Sequence, residues 1–397
     1  MKLTAEEKKS LGRGFWDIFG HAPQWYFSAP GRTEIGGNHT DHQRGRVLAA
    51  AVNLDTRAAV EPNGTNIVRV LSQGYPMCQV DLSELTPKID EKNTTAALIR
   101  GVAAGFVEHG CALSGFDAYV MSTVLPGSGL SSSAAFEVLI GTIFNELFHQ
   151  GAFSPEEIAK IGQYAENAFF GKPCGLMDQM ASAVGGLVAM DFASGMVRPL
   201  NCDLSRWDHA LCIIDTHASH ADLTEEYAAV PAEMKAVAAQ FHCEVLSQVD
   251  EAAFYAEIPT LRKCCTDRAL LRSIHFFEEN RRVTAQWAAL ERGDFPAFLE
   301  LVKESGRSSF MYLQNVIVSG SQAHQDMALA LALCENNLKG RGACRVHGGG
   351  FAGTVQAFVP LDLLESFCRS MTDVLGEGSC HVLSIRQEGG VELEVDV

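Results

Sequence analysis

The chain has 397 residues, room for two or three domains at ~100–200 residues each, and its 47% apolar and 20% charged content is ordinary for a globular protein. A formal charge of −17, from 31 basic against 48 acidic residues, repels nucleic acid and anionic membrane surfaces, so neither is expected as a partner. No apolar run approaches the ~18 residues of a membrane span, and Met1–Ser10 mixes Lys2, Glu6, Glu7, Lys8 and Lys9 without an apolar signal region. The expected setting is therefore the cytoplasm, with the 12 cysteines, none in a CxxC pair, kept as thiols.

In chain order, Val47–Val60 and Ile67–Leu71 have the β-branched, turn-bounded pattern of strands, as does Phe116–Val124 before Pro126. Ala134–Phe148 is apolar on nearly every side and predicts a deeply buried helix. Ser154-Pro155-Glu156-Glu157 is a capping box with proline at the first helical position, opening a helix expected to stop at Gly171. Strands are expected at Leu187–Phe192 and Ala210–Asp215, and helices around Thr224–Gln240, Arg272–Arg292, Phe295–Glu304 and Gln322–Leu338. The chain should finish with a strand at Thr354–Val359, a helix at Leu361–Leu375 and strands at His381–Arg386 and Val391–Val397. Strands and helices interleave without strict alternation, which predicts an α+β fold. Turn residues Pro199, Asn201 and Asp203 place a domain boundary near Leu200–Trp207, giving domains 1–205 and 206–397.

Chemistry concentrates in the glycine clusters. Pro126-Gly127-Ser128-Gly129-Leu130-Ser131-Ser132-Ser133-Ala134-Ala135 runs a glycine turn and three serines into the apolar helix. The helix N-terminus offers free N–H groups and partial positive charge, a cradle for phosphate, with hydroxyls able to ligate Mg²⁺; the alternative is a serine-capped buried helix. It lacks the lysine of a Walker loop. Ala29-Pro30-Gly31-Arg32-Thr33-Glu34-Ile35-Gly36-Gly37-Asn38-His39-Thr40-Asp41-His42 has the polar density that a hydroxyl-rich ligand needs, or is a solvated loop. His39 and His42, three apart, lack a second ligand cluster for zinc. Arg345-Val346-His347-Gly348-Gly349-Gly350-Phe351-Ala352-Gly353 matches G-x-G-x-x-G in letters, but a strand follows rather than a helix, so a glycine loop beside a ligand fits better than a dinucleotide site. In Cys174-Gly175-Leu176-Met177-Asp178-Gln179, Asp178 is either a general base or a helix N-cap.

Together these segments resemble the galactokinase branch of the GHMP kinase superfamily. Ala-Pro-Gly-Arg…Gly-x-His-Thr-Asp is similar to the sugar signature, and Gly-Leu-Ser-Ser-Ser-Ala-Ala to the ATP loop. Gly-Leu-Met-Asp-Gln and Gly-Gly-Gly-Phe-x-Gly are similar to the catalytic-aspartate segment and the third motif. The resemblance implies a ribosomal protein S5 domain 2-like N-terminal domain, a ferredoxin-like C-terminal domain and a cleft between them. It implies transfer of a phosphoryl group from MgATP to a sugar's anomeric hydroxyl, with galactose the expected acceptor. Asp178 would be the base and Arg32 its partner. Asn38, His39, Asp41, Gly175 and Tyr227 would contact the sugar. Gly127, Gly129, Leu130, Ser131, Ser132, Ser133 and Ala134 would hold ATP, near an adenine pocket around Val70–Gly74. Ser133 and Glu166 would ligate Mg²⁺. The resemblance leaves both monomer and dimer open.

The family usually carries Glu where Asn38 stands, Asn where Glu34 stands, Tyr at His42 and Thr at His347, and an Arg pair after the Tyr227 position that this chain lacks. A neutral Asn38 would tolerate a C6 carboxylate, as in plant galacturonate kinases, which are similar in Asp41-His42-Gln43. The expected alternatives to galactose phosphorylation are thus a kinase for galacturonate or another galactose-like sugar, or a non-catalytic sugar sensor.

Overall fold

The computed structural model describes residues 1–125, 129–172, 174–200, 203–218, 223–323 and 325–394. Its strands are β1 Trp25–Gly36, β2 Arg46–Pro62, β3 Ile67–Ser72, β4 Cys78–Asp81, β5 Phe116–Ser122, β6 Leu187–Asp191, β7 Met196–Leu200, β8 His209–Asp215, β9 Ala343–His347, β10 Thr354–Pro360, β11 Cys380–Leu383 and β12 Val391–Glu392. The helices are α1 Ala5–Phe19, α2 Thr95–Glu108, α3 Ser132–His149, α4 Pro155–Tyr164, α5 Met177–Val184, α6 Thr224–Ala239, α7 Glu251–Leu261, α8 Asp267–Glu291, α9 Phe295–Ser308, α10 Asp326–Leu338 and α11 Leu364–Leu375.

Two sheets organise them. Eight strands form the first, in the order β12-β1-β2-β5-β3-β4, with the β6–β7 hairpin branching from β2; β3 and β5 run parallel. The second has four antiparallel strands in the order β11-β8-β10-β9. Helices α2 to α5 pack on the first sheet around Phe106, Phe116 and Phe144, whose rings lie 5.3–5.9 Å apart. Truncating any one of these to alanine removes about 3–5 kcal/mol. A second core joins β2 and β6 to β8, β10, α8 and α9, and so welds the two sheets. A third lies under α10 and α11, on the other face of the four-stranded sheet. The architecture is α+β, as the interleaved pattern predicts, and is built on two sheets. Among the described residues no helix is long and apolar enough to cross a membrane.

Several elements differ from the pattern-based expectation. The polar signature around Arg32 is no solvated loop: Trp25–Gly36 is a strand in which every residue after Trp25 is buried. Its proline and glycines hide that, and pairing to β2 and β12 decides it. Helix α4 ends at Tyr164, and a π turn, Ala165–Phe170, carries the chain to the left-handed Gly171 at φ 87°. Helix α8 starts a turn earlier than its apolar period implies, because the Thr266 hydroxyl caps it. Thr4 and Glu7 form a capping box that opens α1, a helix the charged N-terminal run did not announce. Asp178 is not an N-cap; it sits in the first turn of α5, after Leu176. The expected last strand is only Val391–Glu392 within the described residues.

Candidate functional site

Strand β1 aligns Arg32 and Glu34 on one face, since successive side chains alternate. Arg32 forms a two-point pair with Asp178: Nε to Oδ1 at 2.7 Å and Nη2 to Oδ2 at 2.8 Å. Its third nitrogen donates to the Gly129 carbonyl, and its backbone N–H donates to Leu130 O at 2.9 Å, so β1 grips the glycine-serine loop directly. Ser131, left-handed at φ 59°, turns its hydroxyl away from capping α3 and donates it to Asp178 Oδ2 at 2.6 Å. Among the described residues no side chain caps α3, which leaves its N-terminus open to an anion. Burial pushes the Asp178 carboxyl up, but the Arg32 guanidinium and the Ser131 hydroxyl outweigh it and hold it below the usual carboxylate value.

A cavity of about 270 Å³ opens beside this pair, and its walls include Arg32, Glu34, His39, Asp41, Asp178 and Tyr227. The Asp41 carboxyl, buried and near Asp178, is pushed up to about 6. Gly175 leaves room beside it, since a Cβ there would meet Asp41 Oδ2 at 2.2 Å and push that carboxylate aside. Tyr227 donates its hydroxyl to Gly350 O at 2.7 Å and packs edge-on to Phe351, which anchors α6 to the third glycine loop.

The two histidines form a proton-ordered chain rather than a metal site. His39 Nε2 lies 3.0 Å from the Gly349 carbonyl, which only accepts, so Nε2 carries the proton and Nδ1 accepts. That places a proton on His42 Nε2, 3.2 Å away, and leaves His42 Nδ1 to accept from the Gln43 amide at 3.2 Å. Gln43 is oriented for this by the Leu246 N–H on its oxygen. Both rings are neutral: burial lowers each, His42 well below its ordinary value.

Asn38 is wholly buried and does not line the cavity. Its amide donates to Glu34 Oε1 at 3.1 Å and to Gly348 O at 2.7 Å, and its oxygen accepts from Ser309 and Asn315. Arg345 from β9 also donates to Glu34 Oε1, at 2.8 Å. Both ties fall on one oxygen of Glu34, the carboxylate that faces the cavity. Sequence patterning missed this role, although the two-residue spacing from Arg32 on a strand would have carried it. His347 was also missed. Its Nε2 accepts the Glu34 N–H at 3.2 Å, and its Nδ1 faces Thr354 Oγ1 at 2.9 Å, tying the third motif to β1.

On the other side of the loop, Ser133 Oγ lies 3.4 Å from Glu166 Oε1, beside Lys172 Nζ at 3.3 Å. Glu166 Oε2 and Glu137 Oε2 share the Gln179 amide, while Glu137 Oε1 is buried without a partner. This all-oxygen donor set fits a hard cation such as Mg²⁺. Gly129, Leu130, Ser132, Ser133 and Ala134 lie along the loop and the α3 start rather than on the sugar-sized cavity. Gly127 falls outside the described residues. In the Val70–Gly74 stretch, expected near the adenine, Val70 is buried in the first core and the Gln73 N–H donates to Val120 O at 2.8 Å.

Comparisons with known proteins bear on the family and the fold. A family model described as the GHMP kinases N terminal domain matches residues 97–186, and one described as the galactokinase galactose-binding signature matches residues 13–62. The fold is similar to that of Lactococcus lactis galactokinase complexed with galactose, with TM-score 0.84 and 23% identity over 97% of this chain and 99% of that one. It is also similar to Methanococcus jannaschii mevalonate kinase, with TM-score 0.65 and 11% identity over 91% of this chain and 98% of that one. A D-glycero-D-manno-heptose 1-phosphate kinase from Bacteroides thetaiotaomicron has TM-score 0.60 and 16% identity over 94% of this chain and 99% of that one. These matches support a phosphotransferase of the kinase type, with residues 97–186 similar to the GHMP kinases N terminal domain. The match of residues 13–62 is to a galactokinase-like signature, which supports a sugar kinase.

Proposed function

We propose that the protein is an ATP-dependent sugar 1-kinase whose acceptor is a neutral, galactose-like hexose. The observation that carries this is the Asp178 carboxylate, kept ionised by Arg32 and Ser131, at the wall of a hexose-sized cavity next to the uncapped N-terminus of α3. In this reading Asp178 aligns the anomeric hydroxyl and takes its proton as the oxygen bonds to the γ-phosphorus. The bond from that phosphorus to the bridging oxygen breaks, and ADP leaves. Because its pKa is lowered, Asp178 is a weak base that accepts the proton only late, so positioning and charge stabilisation dominate. Arg32 stabilises charge on the transferring group. Ser133 and Glu166 would hold Mg²⁺, which when bound neutralises phosphate charge. The proposed domains 1–205 and 206–397 divide the grip: the first supplies Arg32 and Asp178, the second Tyr227 and the glycine loop, while the chain's β12 returns to pair with β1 in the first sheet.

The wall chemistry also bears on the sugar. Asn38 is turned inward, and three carboxylates, Glu34, Asp41 and Asp178, face the cavity with one guanidinium. A uronate would add a fourth anion at the cost of desolvated like-charge repulsion. Galactose is therefore favoured over galacturonate. The test is ADP release against galactose, galacturonate, N-acetylgalactosamine and glucose, with Asp178→Asn as control. Galactose turnover that the variant abolishes is the expected result. Turnover with galacturonate alone overturns the choice of sugar. ATP binding without turnover on any sugar overturns the kinase reading in favour of a sensor.

A further inference from the structure

Away from the cleft, three cysteines from distant parts of the sequence meet. Cys212 lies on β8, Cys380 on the edge strand β11 and Cys368 on α11. In the β8–β11 register Cys212 pairs with Val382, so Cys380, two residues along, projects from the same face of the sheet as a diagonal neighbour. Helix α11 packs over that face, with Phe367 and Met371 buried in the same core. The three sulfurs all lie within 4.8 Å of one another, and those of Cys368 and Cys380 are 3.4 Å apart. Among the described residues no other group of His, Cys, Asp or Glu converges in this way.

We propose that Cys212, Cys368 and Cys380 form a binding site for one soft d¹⁰ cation, Cu(I) or Zn(II). Three coplanar sulfurs at the usual metal–sulfur distance of about 2.3 Å are about 4.0 Å apart, so the observed spacing needs only sub-ångström adjustments. Thiolate ligands select these ions over Mg²⁺ or Ca²⁺. Among the described residues no fourth ligand joins the three, which suits trigonal Cu(I); Zn(II) would complete its tetrahedron with water. Cys212 is fully buried while Cys368 and Cys380 are partly exposed, which gives the ion a way in. On binding, each thiol gives its proton to solvent and no redox change is needed. The ion would pin α11 and the edge strand to β8. The face is the one opposite Gln356, which reaches Thr33 and the Glu34 carbonyl behind the cleft, so the ion's role is structural and stands independently of the kinase reading.

The test uses the full reduced chain, titrated in separate arms with Zn²⁺ alone and with Cu(I) held in a competing chelator. One equivalent should bind in at least one arm, with thiolate charge-transfer absorption for copper and a rise in Tm. Cys368→Ser and Cys380→Ser should each weaken binding about a hundredfold, while Cys264→Ser, an exposed thiol elsewhere, should not. X-ray absorption on the loaded wild-type chain should report three sulfur neighbours at about 2.3 Å, a readout that does not depend on a variant folding. No binding in either arm, fewer than three sulfur neighbours, or unchanged binding in the double Ser variant overturns the proposal. So does a Cys368–Cys380 disulfide that forms in air while the reduced chain binds neither ion.

Discussion

Arg32–Asp178 and Arg345–Glu34 are built from the same chemistry and share strand β1, which supplies Arg32 to one and Glu34 to the other, yet they differ in what they are free to do. In the first pair the side chains are 8% and 28% exposed, and both carboxylate oxygens are held while the group still faces the cavity. In the second pair they are 0% and 4% exposed, and Arg345 keeps two nitrogens buried without partners. A buried ion pair is weak evidence for stability, but breaking one from one side is costly. The contrast separates a pair with an oxygen-bearing face open to the cavity from a pair sealed behind its wall, and on the proposed function only the first acts on a ligand.

The largest break in that comparison comes from Asp178→Asn. It should lower kcat about a thousandfold, within the range a positioned general base contributes, while Tm shifts by little. Glu34→Ala should do the reverse to the fold, leaving Arg345 without its buried anion at a cost of about 3 kcal/mol, read by denaturant unfolding. If the two variants had similar effects on both readouts, the division between the pairs would fail. Gly175→Ala is a narrower probe: its Cβ would strike Asp41 Oδ2, so sugar KM should rise up to about a hundredfold with kcat less affected.

Much of this was legible from pattern, and the remainder was hidden for identifiable reasons. Helix α3 announced itself because apolar residues on every side need burial, and the capping box at Ser154 fixed the start of α4. Strand β1 did not, because Pro30, Gly31, Gly36 and two charges mimic a loop until β2 and β12 pair with it. Asn38 stands among ligand-contact residues in the sequence, but partners 271 and 277 residues away, Ser309 and Asn315, draw its side chain inward. No local spacing encodes that. The same holds for Cys212, Cys368 and Cys380, which only the β8–β11 register and the seating of α11 bring together.

A pH profile sharpens the comparison within the cavity. Asp41, pushed up to about 6, should put an acidic limb on kcat/KM near that pH, rising as the carboxyl ionises and then flat. Asp178, held below 3.8, adds no limb there. Asp41→Asn should erase the limb. The sign for stability is opposite: a carboxyl raised above its unfolded value favours the fold while protonated, so its contribution falls as pH climbs from about 4 through about 6. A wild-type stability curve that falls in this window, flattened in Asp41→Asn, would match the activity limb to the same group.

The smallest effect tests why Asp178 stays ionised. Arg32 alone supplies two bonds to it, and the Ser131 hydroxyl adds one at 2.6 Å. Removing a hydrogen bond to a charged group costs about 1.5–3 kcal/mol when nothing replaces it, and water entering this part-exposed site should recover part of that. Ser131→Ala should therefore lower kcat roughly tenfold and raise the Asp178 pKa, without reaching the loss of Asp178→Asn. It also removes the hydroxyl nearest the start of α3 that could turn back to cap the helix, so ATP KM should hold if the backbone N–H groups, not this side chain, receive the phosphates. A large rise in ATP KM with unchanged kcat would move Ser131 from Asp178's side of the site to the phosphate cradle.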